Sequence, residues 1–260
     1  MKDVLYWEAA EFYEPLYRRG LARADGLAHE CDAIEEILLR NAGIVRRVMD
    51  AGCGTGVHSV ELSSRGYEMV AYDFSDRMVE IARGKRLAPK ARVTFLQADM
   101  RKYVPPRKCD AVICMTNAYL NNYTPEQAHK ALSCFAASLR RGGVLLLEVT
   151  DYGKSIARGD FAFTYVDRAK VGRREVVEVI ESEANLRRHV LLEHGTYFVS
   201  HDDGSYSRHS SNNTLALINP PLLEYQLSHA GFELREIVDA ETRKQAGKDS
   251  TEYFVVAVKQ

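Results

Sequence analysis

The segment that most constrains this chain is Val48-Met-Asp-Ala-Gly-Cys-Gly-Thr-Gly56, an apolar run that ends in an acid and breaks into glycines at alternate positions. Val45 to Asp50 reads as a short buried strand, and Gly56 to Arg65 as a helix beginning where the glycines stop. Glycines permit positive φ and let a ligand approach the backbone closely. The helix start behind them offers unpaired N–H groups to an anionic or polar group. The spacing is G-x-G-x-G. A dinucleotide G-x-G-x-x-G counted from Gly52 needs glycine at 57, where Val57 stands.

Around this turn the chain alternates. Strands are expected at Tyr67 to Asp73, Val93 to Gln97, Cys109 to Met115 and Val144 to Val149, the last a nearly continuous apolar run suited to a sheet covered on both faces. Helices are expected at Ser75 to Gly84, with Ser75 as N-cap, and at Pro125 to Leu139, stopped by Arg140-Arg-Gly-Gly143. Ahead of the glycine turn, residues 8 to 41 read as helical with a polar break near Ala22 to Gly26. After residue 150 the pattern switches to β runs at Phe161 to Asp167, Glu175 to Glu181, Arg187 to Val199 and Ser205 to Ser210, the last two a hairpin. A helix at Pro220 to Ala230 and strands at Phe232 to Val238 and Tyr253 to Val258 complete the chain. The reading is an α/β fold with a doubly wound, mostly parallel sheet and a small antiparallel β insert.

The 260 residues suit one large α/β domain carrying such an insert. With 35 basic against 36 acidic side chains the net charge is −1, so nothing in the global charge calls for nucleic acid as the main partner. No run reaches the roughly 18 apolar residues of a membrane helix. Asp3, Glu8, Glu11 and Glu14 interrupt the N-terminal stretch, which lacks a signal-peptide core, and the five cysteines form no CxxC pair. These features lead us to expect a soluble, reduced, cytoplasmic protein.

Two further acids fall at strand ends. Asp73 lies 73 − 52 = 21 residues past the first glycine, where a carboxylate can accept from both hydroxyls of a ribose diol. Asp99-Met100 follows the third strand, where a carboxylate can accept from an exocyclic adenine amine and Met100 offers a backbone N–H and an apolar flank. Cys53 is read as a backbone-contact position in the turn, and Cys114 as a core cysteine, since Ile113 rather than proline precedes it. Asn219-Pro-Pro221 lies too late in the chain for a strand-four motif and reads as a helix start. His189, His194, His201 and His209 show no metal-ligand spacing, so no metal is expected.

The three strand-end elements, in this order, resemble the class I S-adenosylmethionine-dependent methyltransferases. The match covers residues 45 to 150 well and 219 to 258 loosely. It implies a seven-stranded, Rossmann-like sheet whose last strand runs antiparallel, with S-adenosyl-L-methionine as cofactor and S-adenosyl-L-homocysteine as product. On this resemblance Asp50, Ala51, Gly52, Cys53, Gly54 and Gly56 form the glycine-rich motif, Asp73 and Phe74 the ribose end, and Asp99 and Met100 the adenine end. Met78 and Met115 join the expected cofactor set, as do Tyr13 and Tyr17, four apart on one helical face of an N-terminal lid.

The flanks are similar to those of small-molecule enzymes, the glycine and sugar-amine N-methyltransferases. The implied organisation is a helical lid over 1–43, a cofactor-binding domain over 44–152 and 219–260, and an antiparallel insert over 153–218 on the substrate side, which also offers a surface for a homodimer contact. The expected acceptor is a small molecule, an amine ahead of a hydroxyl or carboxylate. Asn117, Tyr119, Tyr123 and His209 are the candidates for the reacting centre. Two rival readings are a methyltransferase acting on protein or RNA, which would need an open basic groove near Asn117, and a non-catalytic binder, against which the intact acids at 73 and 99 argue.

Overall fold

The computed structural model describes residues 10–20 and 26–260, the side chains of 17–20 excepted. Two N-terminal helices, α1 (Ala10–Gly20) and α2 (Gly26–Ala42), precede the sheet; the polar break expected between them lies outside the described residues. The strands of the main sheet are β1 (Arg47–Ala51), β2 (Glu68–Asp73), β3 (Arg92–Gln97), β4 (Cys109–Cys114), β5 (Leu139–Thr150), β10 (Phe232–Asp239) and β11 (Glu252–Lys259). The helices between them are α3 (Val57–Ser64), α4 (Asp76–Arg83) and α5 (Pro125–Ser138), with α6 (Tyr152–Ala157) after β5 and α7 (Pro220–His229) before β10.

The strands lie in the order β10-β11-β5-β4-β1-β2-β3. From β1 the chain builds outward through β2 and β3 on one side, then crosses to β4 and β5 on the other, all in parallel. β11 slots between β5 and β10 and runs antiparallel to both. This reversal of strand order at β1 and β4 opens a crevice beyond their C-terminal ends, where ligands of such sheets bind. Period-two alternation sends neighbouring residues to opposite cores. Met49, Val112, Leu145 and Leu147 pack with α5 and α7 through Leu132, Phe135 and Leu223, whereas Val48, Ile113 and Leu146 pack with α2 through Ile34 and Leu38.

Local signals explain most boundaries. Ser75 caps α4, its hydroxyl accepting from the Met78 N–H at 3.2 Å. Thr124 and Gln127 form a capping box ahead of α5, and Asn219 caps α7. One expected boundary is corrected. Arg140 to Gly143 was to stop α5, but α5 ends at Ser138 and these residues belong to β5, whose Leu139 pairs with Cys109 across a bulge. The helix end needs no glycine there, because Lys259 from β11 donates to the carbonyls of Ala136 and Leu139 at 2.6 and 3.0 Å.

The insert is a second sheet of four antiparallel strands, β6 (Ala162–Val171), β7 (Arg174–Asn185), β8 (Val190–Ser200) and β9 (Tyr206–Ala216), in sequential order. Every connection in it is a hairpin, not the last alone. One end of its inner face packs Ala169, Val176 and Val199 on Phe12 and Leu16 of α1. The opposite end places Leu191 and Leu215 in the main core. No helix among the described residues is long and apolar enough to cross a membrane.

Candidate active site

The glycine turn is shaped by the strand beside it. The N–H groups of Gly52 and Cys53 both donate to the Tyr72 carbonyl at 2.9 Å, folding the turn back over the end of β2. Gly52 has φ +80°, and a Cβ there would stand 2.8 Å from the Ala118 Cβ, so this position needs glycine twice over. A Cβ at Gly56, φ +77°, would collide with the Phe95 ring at 2.6 Å.

Asp73 closes the turn from the side. Its Oδ2 accepts from Gly54 N–H at 2.9 Å and its Oδ1 from Ser75 N–H at 2.8 Å. A carboxylate has about four acceptor positions, so it retains capacity for a diol. Burial raises the Asp73 carboxyl above the ordinary range, although the N–H groups of Ser75, Gly54 and Phe74 pull it down. At the β3 end Asp99 is gripped by Arg101 through two charge-assisted bonds of 2.8 and 2.9 Å. Burial pushes the Asp99 carboxyl up; Arg101 outweighs it and holds the group below the usual carboxylate range.

These groups line a cleft of about 280 Å³. Tyr13, Gly52, Gly54, Asp73, Phe74, Asp99, Met100 and Met115 all reach it. The Tyr13 ring lies over Gly54, 3.4 Å from where its Cβ would be. Burial raises the Tyr13 hydroxyl, and the charges of Asp73, Glu148, Glu178 and Glu30 raise it further. The Tyr17 side chain lies outside the described residues. Met78, on the inner side of α4, is fully buried and not in the lining, and Ala51 and Cys53 are buried in the strand end and the turn.

Beneath the glycine turn sits a small polar core. Asp50 is buried, its Oδ2 accepts from the Ser59 hydroxyl at 2.6 Å, and its Oδ1 has no partner. His58 meets Glu30 at 3.1 Å; burial would lower the imidazole, and Glu30 outweighs burial and raises it. An orphaned acidic oxygen under a glycine cradle suits a ligand with positive charge nearby, and the diol acceptor beside it suits a nucleoside. The residues present therefore fit S-adenosylmethionine.

The candidates for the reacting centre separate by placement. Asn117 is tied to β5: its Nδ2 donates to Thr150 Oγ1 at 2.9 Å and its Oδ1 accepts from Thr150 N–H at 2.8 Å. Thr116 and Asn117 hold φ of 52° and 58°, and Thr116 N–H donates to Glu148 at 2.6 Å, so the strand-four turn is pinned rather than free. Tyr119 is a core residue whose hydroxyl donates to Gln226 at 3.0 Å. Tyr123 is more than a third exposed and His209 stands on β9 beside Ser207; neither lines the cleft. Sequence reasoning missed Glu148, Glu178, Asn212 and Asn213. The asparagines come to the cleft because β9 is the edge strand beside the turn at Ala118–Asn121. Glu148 had a legible signal, an acid inside an apolar strand. Among the described residues no group of three His, Cys, Asp or Glu side chains could hold a metal ion.

Comparison with known proteins accords with this geometry. Residues 48–143 match the family model described as a methyltransferase domain. A putative methyltransferase of Geobacillus sp. (strain WCH70) is 29% identical over 82% of this chain and 85% of its own length. The dTDP-3-amino-3,4,6-trideoxy-alpha-D-glucopyranose N,N-dimethyltransferase of Streptomyces venezuelae is 27% identical over 86% of this chain and 90% of its own. The crystal structure of an S-adenosylmethionine-dependent methyltransferase from Clostridium acetobutylicum ATCC 824 shares the fold, with a TM-score of 0.78 over 97% of this chain and 98% of that one at 20% identity.

Proposed function

From the premise that this chain is a class I S-adenosylmethionine-dependent methyltransferase, we propose that it transfers the methyl group to an amine of a small molecule. The observation that carries the amine is the acidic edge of the cleft: Asp73 lines it beside Tyr13, and the charges of Asp73, Glu148 and Glu178 all act on the Tyr13 hydroxyl. An amine in water is a cation, and these charges draw it in. The alignment with a sugar-amine N,N-dimethyltransferase along most of both chains supports the same reading. Against a protein or RNA acceptor stands the roof that α1 and β9 place over the cleft through Tyr13, Asn212 and Asn213, where a macromolecule would need an open groove.

When bound, the cofactor supplies an already activated sulfonium methyl, so the protein contributes alignment and water exclusion. Asp73 would hold the ribose hydroxyls, Phe74 and Met100 would flank the adenine, and Gly52 and Gly54 would admit the rest against bare backbone. Tyr13 covers Gly54 on one side of the cleft. The attacking nitrogen must first shed a proton, and the product nitrogen sheds another. The test is incubation with methyl-labelled cofactor and paired amine and alcohol acceptors, with the products resolved by mass spectrometry. Label on nitrogen is the expected result. Label confined to hydroxyl or carboxyl oxygen would overturn the reading.

A further inference from the structure

Past the end of β3 the chain makes a tight turn whose hydrogen bonds converge on one residue. Asp99 Oδ1 accepts from the Arg101 backbone N–H at 2.9 Å and from Arg101 Nε at 2.8 Å, while its Oδ2 accepts from Arg101 Nη2 at 2.9 Å. The Asp99 carbonyl receives the N–H groups of Lys102 and Tyr103, both at 2.9 Å. A residue two positions along thus grips the acid through a planar fork, with its own backbone as a third point of contact. Asp99 and Arg101 both line the cofactor cleft, beside Phe74, Met100 and Asn122.

A carboxylate has about four acceptor positions. Arg101 fills both on Oδ1 and one on Oδ2, so a single position stays open, and the fork fixes where it points. An ionised carboxylate only accepts. A purine with an amine at C6 can donate to it, whereas one with an oxygen there sets two acceptors face to face. A free aspartate would turn away from that oxygen. One clamped by a bidentate pair cannot turn without breaking charge-assisted bonds. The Arg101 side chain is 32% exposed and that of Asp99 15%, so the pair lies at the rim of the fold, where an ion pair adds little to stability.

We infer that Arg101 is a positioning residue that makes the cofactor site selective for a 6-aminopurine over a 6-oxopurine, by holding Asp99 so that its one open acceptor faces C6 of the base. The inference rests on the cofactor reading, with the base at the β3 end of the cleft. Arg101 acts through Asp99 and needs no contact with the ligand. Lys102, next in the chain and exposed, also acts on Asp99 by its charge, which lets charge and fork geometry be separated.

The experiment is calorimetric titration of the full chain with S-adenosyl-L-homocysteine and with its 6-oxo analogue, S-inosyl-L-homocysteine. The parent should bind the adenine compound about a hundredfold more tightly. Arg101→Met keeps an apolar stem without the fork and should narrow that preference by about tenfold. Arg101→Lys returns the charge without the fork and should recover only part of the preference, which keeps the test open if the methionine variant fails to fold. Lys102→Met should leave the preference unchanged. A pair that serves the fold alone would weaken both ligands equally in Arg101→Met, and that outcome would overturn the assignment. So would an undiminished preference in the Arg101 variants, or a parent that binds the two compounds alike. A parent that binds neither compound would overturn the cofactor placement as well.

Discussion

At the scale of single residues, the site depends on positions where chemistry and backbone agree. Gly52 combines a left-handed φ with contact distance to Ala118, so Gly52→Ala forces a Cβ into 2.8 Å. We expect a loss of about 1–3 kcal/mol of stability and a larger loss of cofactor affinity, measured by melting temperature and by titration. Glu148 makes a pH prediction. Burial, reinforced by the charge of Glu30, pushes its carboxyl from 4.5 up to about 7. The folded protein therefore keeps a proton that the unfolded chain sheds, so the stability this group favours is present below about 4.5 and is lost as pH rises through about 7. Glu148→Gln removes that dependence, so it should raise the melting temperature of the cofactor-free protein at pH 8 and not at pH 5. An equal shift at both would mean the charge is compensated elsewhere. The glycines and the strand-end acids were legible because spacing exposes them. The grip of Arg101 on Asp99 and the paired hydrogen bonds between Asn117 and Thr150 were not, since those partners depend on side-chain geometry and on β5.

At the scale of elements, α1 is tied to both halves of the chamber. Phe12 is fully buried and Leu16 nearly so against the second sheet, Glu11 accepts from Arg174 of β7 at 2.5 Å, and Glu14 pairs with Lys85 beyond α4. The polar break near Ala22 to Gly26 and the spacing of Tyr13 and Tyr17 lead to the expectation of a lid over the first 25 residues that orders on cofactor binding, its deletion costing methyl transfer more than melting temperature because the parallel sheet starts only at Val45. This packing argues for a larger cost, since removing α1 uncovers Ala169, Val176 and Val199. We propose that α1 serves as both cover and cap. Phe12→Ala should cost about 3–5 kcal/mol, whereas Tyr13→Phe should leave stability near that of the parent and weaken the cofactor or slow transfer. A Tyr13→Phe protein with parental affinity and rate would reduce α1 to packing. The β runs of the insert were readable from alternation, but their lengths were not. Hairpin pairing carries β7 through Asn185 and β9 through Asn212–Asn213, where local propensity alone favours a stop, while β8 begins at Val190 rather than Arg187.

At the scale of the whole molecule, the order of strands decides where chemistry happens. Reversal at β1 and β4 places the glycine turn, Asp73 and the β4 turn around one crevice, and the second sheet arches over it through Asn212 and Asn213. Alternating strands and helices made the parallel sheet legible, while the side on which the insert folds back depends on the packing of Leu191 and Leu215 into the main core. The claim on which the rest depends is that this crevice, with Asp73 at its edge, holds the cofactor. Titration of S-adenosylhomocysteine into the cofactor-free protein, parent beside Asp73→Ala and Asp73→Asn, tests it most directly. Charge-assisted bonds to two hydroxyls are worth about 1.5–3 kcal/mol, so each variant should bind about ten- to a hundredfold more weakly, and NAD and NADP should not bind the parent. The asparagine keeps an acceptor for one backbone N–H and guards against loss of fold. Unchanged affinity in folded variants, or NAD binding ahead of S-adenosylhomocysteine, would contradict the account.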